Sequence, residues 1–178
     1  MSSGLTVELR SSVETFQVPV TIRIPYDESV FTSAGLSEEA ARLFVLNETT
    51  GEWILVDTLA VDTDANVVVA ERSSLSVFRV GYLVADPTQS AVAVTPNPLQ
   101  VDRDGLVTVT PRTRSGALVG RGHIVGVRLA SGSGTLGAPT FQADGSYAAP
   151  IHAPLLVGTA VVEASVDGVV LAQRPEVA

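Results

Sequence analysis

The sequence contains no cysteine and no lysine, and it is poor in histidine and aromatic residues. Its 178 residues include five Phe, three Tyr, one Trp and two His, and all 11 basic residues are arginine. Without cysteine there are no disulfides, thiolate metal ligands or cysteine nucleophiles. A net charge of −8 without lysine argues against binding to nucleic-acid phosphates. No apolar run approaches the roughly 20 residues of a membrane span.

The chain is instead rich in aliphatic residues arranged in short segments. Hydrophobic residues make up 46% of the sequence, and 15 Gly and 10 Pro interrupt them at short intervals. Valine, which is β-branched and favours strands, is prominent among them. Charged residues, at 17%, fall below the roughly 25% that is typical of soluble domains. This composition predicts a globular all-β protein with short strands.

The two halves of the chain differ in charge and in turn-forming residues. Residues 1–85 carry five Arg and 12 acidic residues, a net charge of −7, whereas residues 86–178 carry six Arg and seven acidic residues, a net charge of −1. Eight of the 10 Pro and 11 of the 15 Gly lie in the second half. Asp86 and Pro87 begin a short polar link between the halves. We predict two consecutive small β-sandwich domains, residues 1–85 and 86–178, the second immunoglobulin-like.

In the first half, alternation and turn signals predict several strands. We expect strands at residues 18–24, 42–46, 53–56, 67–70 and 76–83. Ser37 can cap a short helical turn over residues 37–41. Residues 47–52 predict a hairpin loop with Gly51 at positive φ. Trp53 follows this loop, a place that fits a core anchor or a rim residue, and a core anchor is the favoured interpretation.

In the second half, turn signals recur every 8–12 residues or so, a spacing typical of a sandwich. We expect strands near residues 90–95, 105–110, 123–130, 139–141, 145–150, 157–166 and 168–172. Three Asp-Gly pairs, at residues 104–105, 144–145 and 167–168, predict turns. The Gly-rich residues 132–137 lack the Lys-Ser/Thr ending of a phosphate loop and are interpreted as a flexible inter-strand loop.

Five ordered landmarks run through the first half, at residues 21–27, 42–44, 50–53, 62–68 and 74–78. Their residues are Thr-Ile-Arg-Ile-Pro-Tyr-Asp, Arg-Leu-Phe, Thr-Gly-Glu-Trp, Asp…Asn-Val-Val and Ser-Leu-Ser-Val-Phe. This order resembles the ZU/UPA-like β module of ankyrins, netrin receptors and many bacterial extracellular proteins, over about residues 16–83. The resemblance implies binding or spacing.

The second half carries a different set of landmarks. They are Ser90 with Val-Thr-Pro at residues 94–96, Asp-Gly at 104–105, Val-Thr-Val-Thr at 107–110, the Gly-rich stretch 132–137, Asp-Gly-Ser-Tyr at 144–147, Gly-Thr-Ala at 158–160 and Val-Asp-Gly at 166–168. Together they resemble an invasin/intimin-type bacterial immunoglobulin-like domain over about residues 88–172. Domains of that family stack as stalks in adhesins, so this resemblance also implies binding or spacing.

Self-cleavage is the one enzymatic activity that the first resemblance raises. Some ZU-type modules cut themselves at a His-Phe-Ser tripeptide, in which the serine hydroxyl attacks the preceding carbonyl. Ser76 falls at the serine position, but Ser74 occupies the histidine position and cannot act as a general base near neutral pH. The favoured interpretation of Ser76 is an ordinary strand residue.

A calcium loop is the second candidate site. Asp62, Asp64 and Asn66 begin like an EF-hand loop, which then needs Gly at its sixth position and Glu at its twelfth. Val67 and Ser73 stand at those positions, so a hairpin turn is the favoured interpretation. We predict no metal and no cofactor.

Weaker candidates have simpler interpretations. The segment 102–105 (Asp-Arg-Asp-Gly) reads as a turn, and His123 and His152, which lack metal-like spacing, read as edge or loop residues. A basic cluster could bind an anion or a sugar acid, but solvated strand faces are commoner. Its members are Arg112, Arg114, Arg121 and Arg128.

The sequence therefore predicts a non-catalytic stalk or display module of a bacterial surface or secreted protein. The alternatives are an adhesin-type module for a glycan or protein ligand and, less favoured, a module that cleaves itself before Ser76. Expected partners are neighbouring domains of a longer chain, without nucleic acid. The start at residues 1–4 lacks the pattern of a signal peptide, which fits either a cytoplasmic protein or a piece of a longer exported one. We favour the second, with an extracellular location.

Overall fold

A computed structural model describes residues 5–13 and 15–178. The start at residues 1–4, on which the expectation about a signal peptide depends, lies outside them. The chain divides into two compact units, residues 1–83 and residues 84–178. Each has its own β-sheets, and each is described separately.

Unit 1 is built from two antiparallel sheets. Its elements are β1 (Thr6–Glu8), β2 (Val20–Pro25), the single helical turn α1 (Ser29–Thr32), a 3₁₀ turn (Glu38–Ala40), β3 (Arg42–Asn47), β4 (Glu52–Val56), β5 (Ala60–Asp62), β6 (Val67–Arg72) and β7 (Val77–Gly81). One sheet has the order β1-β7-β3-β4 and the other has the order β2-β6-β5.

The core of unit 1 lies between these sheets because each strand buries alternate residues. In β2, Ile22 and Ile24 are buried while the residues between them are exposed. From the other sheet, Phe78 and Val80 of β7 belong to the same apolar cluster. Phe31 of α1 closes the cluster and contacts Tyr26 edge to face, with ring centroids 5.3 Å apart.

Unit 2 is a second antiparallel β-sandwich. Its strands are β8 (Ala91–Thr95), β9 (Asp104–Thr110), β10 (Val125–Ser131), β11 (Thr135–Leu136), β12 (Thr140–Phe141), β13 (Tyr147–His152), β14 (Ala160–Val166), β15 (Val169–Val170) and β16 (Glu176–Val177). One sheet has the order β11-β13-β9-β8 with β12 also on β13, and the other has β10-β14-β15 with β16 also on β14. This is the predicted all-β, immunoglobulin-like architecture.

The first and last segments of unit 2 lie at opposite ends of its sandwich. At one end, the N–H of Asp86 donates to the carbonyl of Arg112, just beyond the last residue of β9. At the other, the N–H of Leu99, between β8 and β9, donates to the carbonyl of Ala178. We call these the N-terminal pole and the C-terminal pole. β9 runs between them, and its seven residues separate the poles by about 20 Å.

Local signals in the sequence were mostly interpreted correctly. The Ser37 hydroxyl caps the 3₁₀ turn by accepting from the N–H of Glu39, and Gly51 has a φ of 72° in the β3–β4 hairpin. Positive φ at Asp167 and Gly168 confirms the turn there, and Gly145 has a φ of 85°.

Three predictions for the second half were wrong. Asp104 and Gly105 do not form a turn, since they begin β9 and pair with His152 and Ile151. The Gly-rich segment is not only a loop, because Thr135 and Leu136 pair with the same strand β13. The strand expected to begin at residue 157 begins at Ala160.

Candidate functional site

The C-terminal pole of unit 2 contains a cavity of about 380 Å³. Apolar side chains supply most of its wall, among them Leu99, Val101, Ile151, Leu156, Val157 and Val177. Ala178 lies in the same wall. A concave apolar surface of this volume falls within the roughly 300–1,000 Å³ range of ligand pockets.

Three consecutive aliphatic side chains project beside the cavity. Leu155, Leu156 and Val157 are 77%, 81% and 92% exposed in the loop that joins β13 to β14. Single exposed aliphatic residues are ordinary on protein surfaces, but contiguous ones mark interaction sites. We call these three residues the apolar loop.

His152, in the wall of the cavity, is paired with two carboxylates. Nδ1 of His152 lies 2.8 Å from a carboxylate oxygen of Asp104, and Nε2 lies 3.6 Å from one of Asp102. Backbone hydrogen bonds join the two segments, because Asp102 donates to the carbonyl of Pro154 and Ala153 donates to that of Arg103. The base of the apolar loop is thereby held against the start of β9.

A buried polar network lies at the N-terminal pole. Nδ1 of His123 is 2.7 Å from Oδ2 of Asp167, and the N–H of Ile124 donates to Oδ1 of the same carboxylate. The Tyr147 hydroxyl accepts from the N–H of His123 and donates to the carbonyl of Gly120. Nε2 of His123 is buried without a hydrogen-bond partner among the residues that the structure describes. His123 is thus a loop residue, but its side chain belongs to the interior.

Ser76 precedes β7, and its side chain faces the β3–β4 hairpin. Its hydroxyl donates to Oε1 of Glu48 at 3.1 Å and lies 3.4 Å from the carbonyl oxygen of Leu46. The first half of the sequence contains no histidine that could serve it as a base.

Asp62 is the last residue of β5, and Asp64 and Asn66 lie in the turn between β5 and β6. The Asp62 carboxylate accepts from the N–H of Ala65 and forms an ion pair with Arg23 at 2.9 Å. The hydrogen bond from Ala65, and then Arg23, lower the pKa of Asp62 below its ordinary value. Within residues 5–13 and 15–178, no group of three or more His, Asp or Glu side chains is arranged to hold a metal ion.

Trp53 is not a core anchor, contrary to the expectation. It is half-buried in β4, and the Arg79 guanidinium lies 4.2 Å from the centre of its ring. Leu55, two residues along the same strand and therefore on the same face, is exposed. The indole thus contributes to a surface on one sheet of unit 1.

Each arginine of the predicted basic cluster interacts with a different part of the chain. Arg112 donates to the carbonyl of Gly116, Arg121 stacks on Phe141 at 5.1 Å, and Arg128 pairs with Glu163. Arg114 contributes to lowering the pKa of Asp86, for which hydrogen bonds from Thr88 are the main cause.

Glu163 is a buried carboxylate that the sequence analysis did not single out. Its side chain is 5% exposed, and Arg174 lies 3.0 Å from its second oxygen while Arg128 holds the first. The apolar loop was missed as well, because residues 157–159 were assigned to a strand. Its flanking Pro154 and Gly158 are the signal that favours a loop.

Comparison with known proteins gives structural neighbours only. No protein-family model matches the sequence, and the search of curated proteins returned no match. The Escherichia coli adhesin FdeC aligns over 93% of this chain and 52% of its own, with 13% identity and a TM-score of 0.51. The Yersinia pseudotuberculosis adhesin InvE aligns over 52% of this chain and 26% of its own, with 29% identity and a TM-score of 0.47. Invasin, a bacterial integrin-binding protein, aligns over 98% of this chain and 38% of its own, with 15% identity and a TM-score of 0.49.

These neighbours are bacterial adhesin domains, and the alignment with FdeC shows a shared fold. The chain spans between about a quarter and about half of the length of the neighbours named here. In the described part of the chain, no helix is both long enough and apolar enough to cross a membrane.

Proposed function

We propose that this chain is a non-catalytic spacer or display module of a longer bacterial surface or secreted protein. Unit 1 is the ZU/UPA-like module and unit 2 is the invasin/intimin-type stalk domain. The observation that carries the proposal is the position of the two poles of unit 2. A domain whose first segment, at Asp86, and last segment, at Ala178, lie about 20 Å apart at opposite ends would add length to a linear array of domains.

The composition of the core supports the same role. Buried aliphatic residues of paired strands hold each unit, for example Val107 and Val109 in β9, which are fully buried. Such a core needs neither a metal nor a disulfide. Stability then depends on apolar burial, at about 25 cal/mol per Å².

Surface exposure on intact cells tests this function. An epitope tag placed at Thr49 in the exposed β3–β4 hairpin of the full-length gene product will be reached by antibody on unpermeabilised cells of the source organism. A cytoplasmic protein carrying the same tag is the control and must stain only after lysis. Tag staining of this protein that also requires lysis would contradict the proposal.

An adhesin-type binding role is the second candidate, and the surface around Trp53 favours it. An indole with a guanidinium above it and Leu55 beside it offers apolar and cationic contacts to an acidic sugar or a protein side chain. Because Trp53 is the only Trp, a ligand bound there changes the tryptophan emission of the whole chain. Titration with neutral and acidic oligosaccharides tests it, with Arg79→Ala, which keeps the fluorophore and removes the guanidinium, as the control. Unchanged emission at millimolar ligand counts against this role for the sugars tested.

A further inference from the structure

We propose that the outer edge of β4 in unit 1 binds an extended segment of another protein, which joins the sheet as a further antiparallel strand. The segment that fits this edge has a short run of aliphatic residues with a basic residue at each end. The contact adds a binding function to the proposed spacer role and does not depend on that role, because it uses only residues of unit 1.

β4 is an edge strand with one open side. Among the residues that the structure describes, it pairs with β3 alone, in an unbroken register from Glu52 to Val56. In an antiparallel pair, the N–H and C=O groups of alternate residues point away from the neighbouring strand. The outer edge of β4 therefore presents backbone donors and acceptors to which a further strand can hydrogen-bond.

The side chains of this edge are apolar, which distinguishes β4 from the other edge strands of unit 1. Ile54 and Leu55 lie on opposite faces of the sheet and are 49% and 42% exposed. Natural edge strands are usually protected by short length, charged side chains or proline. β1 and β5 have only three residues each, and β2 contains Arg23 and Pro25, whereas β4 continues as Trp-Ile-Leu-Val after Glu52.

Ile54 lies where the burial of the sheet stops. In one row across the sheet, Phe78 of β7 is the partner of Val45 in β3, and Val45 is the partner of Ile54. Phe78 is fully buried, Val45 packs against the apolar cluster and is partly buried, and Ile54 is half-exposed. A further strand beside β4 puts another side chain in this row and covers Ile54.

The charges at the ends of β4 identify the kind of segment that binds there. Glu52 begins the strand and Asp57 follows its last residue, about 17 Å further along an extended chain, and both are exposed. Arg79 lies over the Trp53 ring, on the outward face of the sheet rather than at either end of the strand. Because opposite charges across paired strands are favourable, a basic residue at each end of the added segment fits these carboxylates.

The same carboxylates disfavour a second copy of this chain as the added strand. When residues 52–57 of two copies pair antiparallel, Glu52 of one copy lies opposite Asp57 of the other at both ends. Like charges directly opposite each other are destabilising. Residues 1–85 also carry a net charge of −7, so two copies repel each other as they approach.

Two synthetic peptides test the proposal, with Trp53 as the reporter because it lies in β4 and is the only Trp. The basic peptide is acetyl-Lys-Val-Thr-Val-Thr-Lys-amide. In the antiparallel register its lysines face Asp57 and Glu52, and its valines fall on the face of Ile54 and Val56. The acidic peptide has glutamate in place of both lysines. We expect the basic peptide to change the tryptophan emission at millimolar concentration and to bind at least about 10-fold more tightly than the acidic one.

A variant pair and a backbone measurement locate the contact. Ile54→Lys places a positive charge on the edge and should weaken binding of the basic peptide at least about 10-fold. Val169→Lys is the matched control and should leave binding unchanged, since Val169 is also 49% exposed but lies in β15 of unit 2. Circular dichroism checks that both variants are folded. In the original chain, the basic peptide should slow hydrogen exchange at alternate amides of β4 at least about 5-fold, which distinguishes strand addition from side-chain contact.

Each other outcome contradicts the proposal. Unchanged emission together with unchanged exchange at millimolar basic peptide overturns it, as does equal binding of the two peptides. Peptide binding that leaves exchange in β4 unchanged shows that the edge is not the site. A dimer in analytical ultracentrifugation that Ile54→Lys abolishes identifies a second copy as the added strand and rejects the proposal. None of these results alters antibody staining of intact cells, so the spacer role and this binding site fail separately.

Discussion

Nδ1 of His123 lies 2.7 Å from Oδ2 of Asp167, across 44 residues of sequence. The same carboxylate accepts from the N–H of Ile124, and Asp167 itself has a φ of 50° at the start of the β14–β15 turn. One aspartate therefore joins a tight turn to the loop that precedes β10. Its side chain supplies two hydrogen bonds, and its backbone adopts a conformation that Asp and Asn tolerate better than other non-glycine residues.

Replacing Asp167 will destabilise unit 2 by an amount that depends on the new residue. Asp167→Ala loses both acceptors and disfavours positive φ, so we expect a loss of about 2–4 kcal/mol. Asp167→Asn keeps the turn and one acceptor, so we expect about 1–2 kcal/mol. Far-UV circular dichroism during guanidinium unfolding measures the change. Trp53 fluorescence reports only unit 1 and is the internal control. Equal losses of stability for Asp167→Ala and Asp167→Asn would refute the role given to Asp167.

We predict that the losses of stability on replacing Arg128 and Arg174 are strongly coupled, because both arginines pair with Glu163. Its side chain is 5% exposed and is paired with Arg128 and Arg174. When one arginine is removed, the other still pairs with the carboxylate. Arg128→Ala and Arg174→Ala should therefore each lower the free energy of unfolding by about 1 kcal/mol, a small loss because both guanidinium groups are largely exposed.

The double variant leaves a buried carboxylate without a partner and should cost about 3–5 kcal/mol, more than the sum of the single changes. Urea unfolding of the four chains measures this coupling. Repeating the cycle in a Glu163→Gln background is the control, in which the coupling should fall below about 0.5 kcal/mol. If the two losses of stability simply add in the original background, the buried carboxylate of Glu163 does not need either arginine as a partner.

Acid will weaken unit 1 partly through Asp62. The hydrogen bond from Ala65 and the ion pair with Arg23 lower the pKa of Asp62 in the folded chain. Folding therefore favours its ionised form, and the resulting stability is present above the unfolded pKa of about 4 and lost as pH falls through the folded pKa. Asp62→Asn should be less stable than the original chain at pH 7, with the difference shrinking below pH 4.

The measurement is the urea midpoint of Trp53 fluorescence between pH 7 and pH 2. Asp64→Asn, an exposed change in the same turn, is the control and should follow the original chain throughout. A difference between Asp62→Asn and the original chain that is constant with pH would contradict this role.

We predict that the chain is not cleaved before Ser76. Its hydroxyl donates towards Glu48, and Ser74 stands where a histidine base would be needed. Denaturing electrophoresis of freshly made protein should give one band of 18.5 kDa, identical to that of Ser76→Ala. Two bands of roughly 8 and 10 kDa that are lost in Ser76→Ala would establish self-cleavage with the serine as nucleophile.

Sequence reasoning succeeded where structure depends on neighbouring residues. The cap at Ser37, the positive φ of Gly51 and the turn at Asp167 each follow from the chemistry of one or two side chains. The alternation in β2 likewise predicts which of its residues are buried.

It failed where structure depends on residues distant in the chain. β16 and β11 have only two residues each, and each is a strand because it pairs with a longer one, β14 and β13 respectively. Trp53 lies on the face of β4 opposite the buried Val56, and Arg79 of another strand stacks on its ring. No local pattern marks the burial of His123, whose carboxylate partner is Asp167. The cavity at the C-terminal pole has no local pattern either, because four separate segments of unit 2 form it.

Gly132 and Gly116 form a matched pair that separates backbone strain from steric clash. Their φ angles are +84° and +86°, so alanine suffers similar backbone strain at both positions. A Cβ at Gly116 meets nothing within 4 Å, whereas one at Gly132 lies 2.5 Å from the Cα of Ala160 and meets the carbonyl oxygen of Thr159. Gly116→Ala should therefore cost only the strain, about 1–2 kcal/mol. Gly132→Ala should cost at least about 1–3 kcal/mol more, because the start of β14 must move. Guanidinium unfolding followed by circular dichroism measures both variants, and equal losses would mean that the backbone at the C-terminal pole yields to the added methyl group.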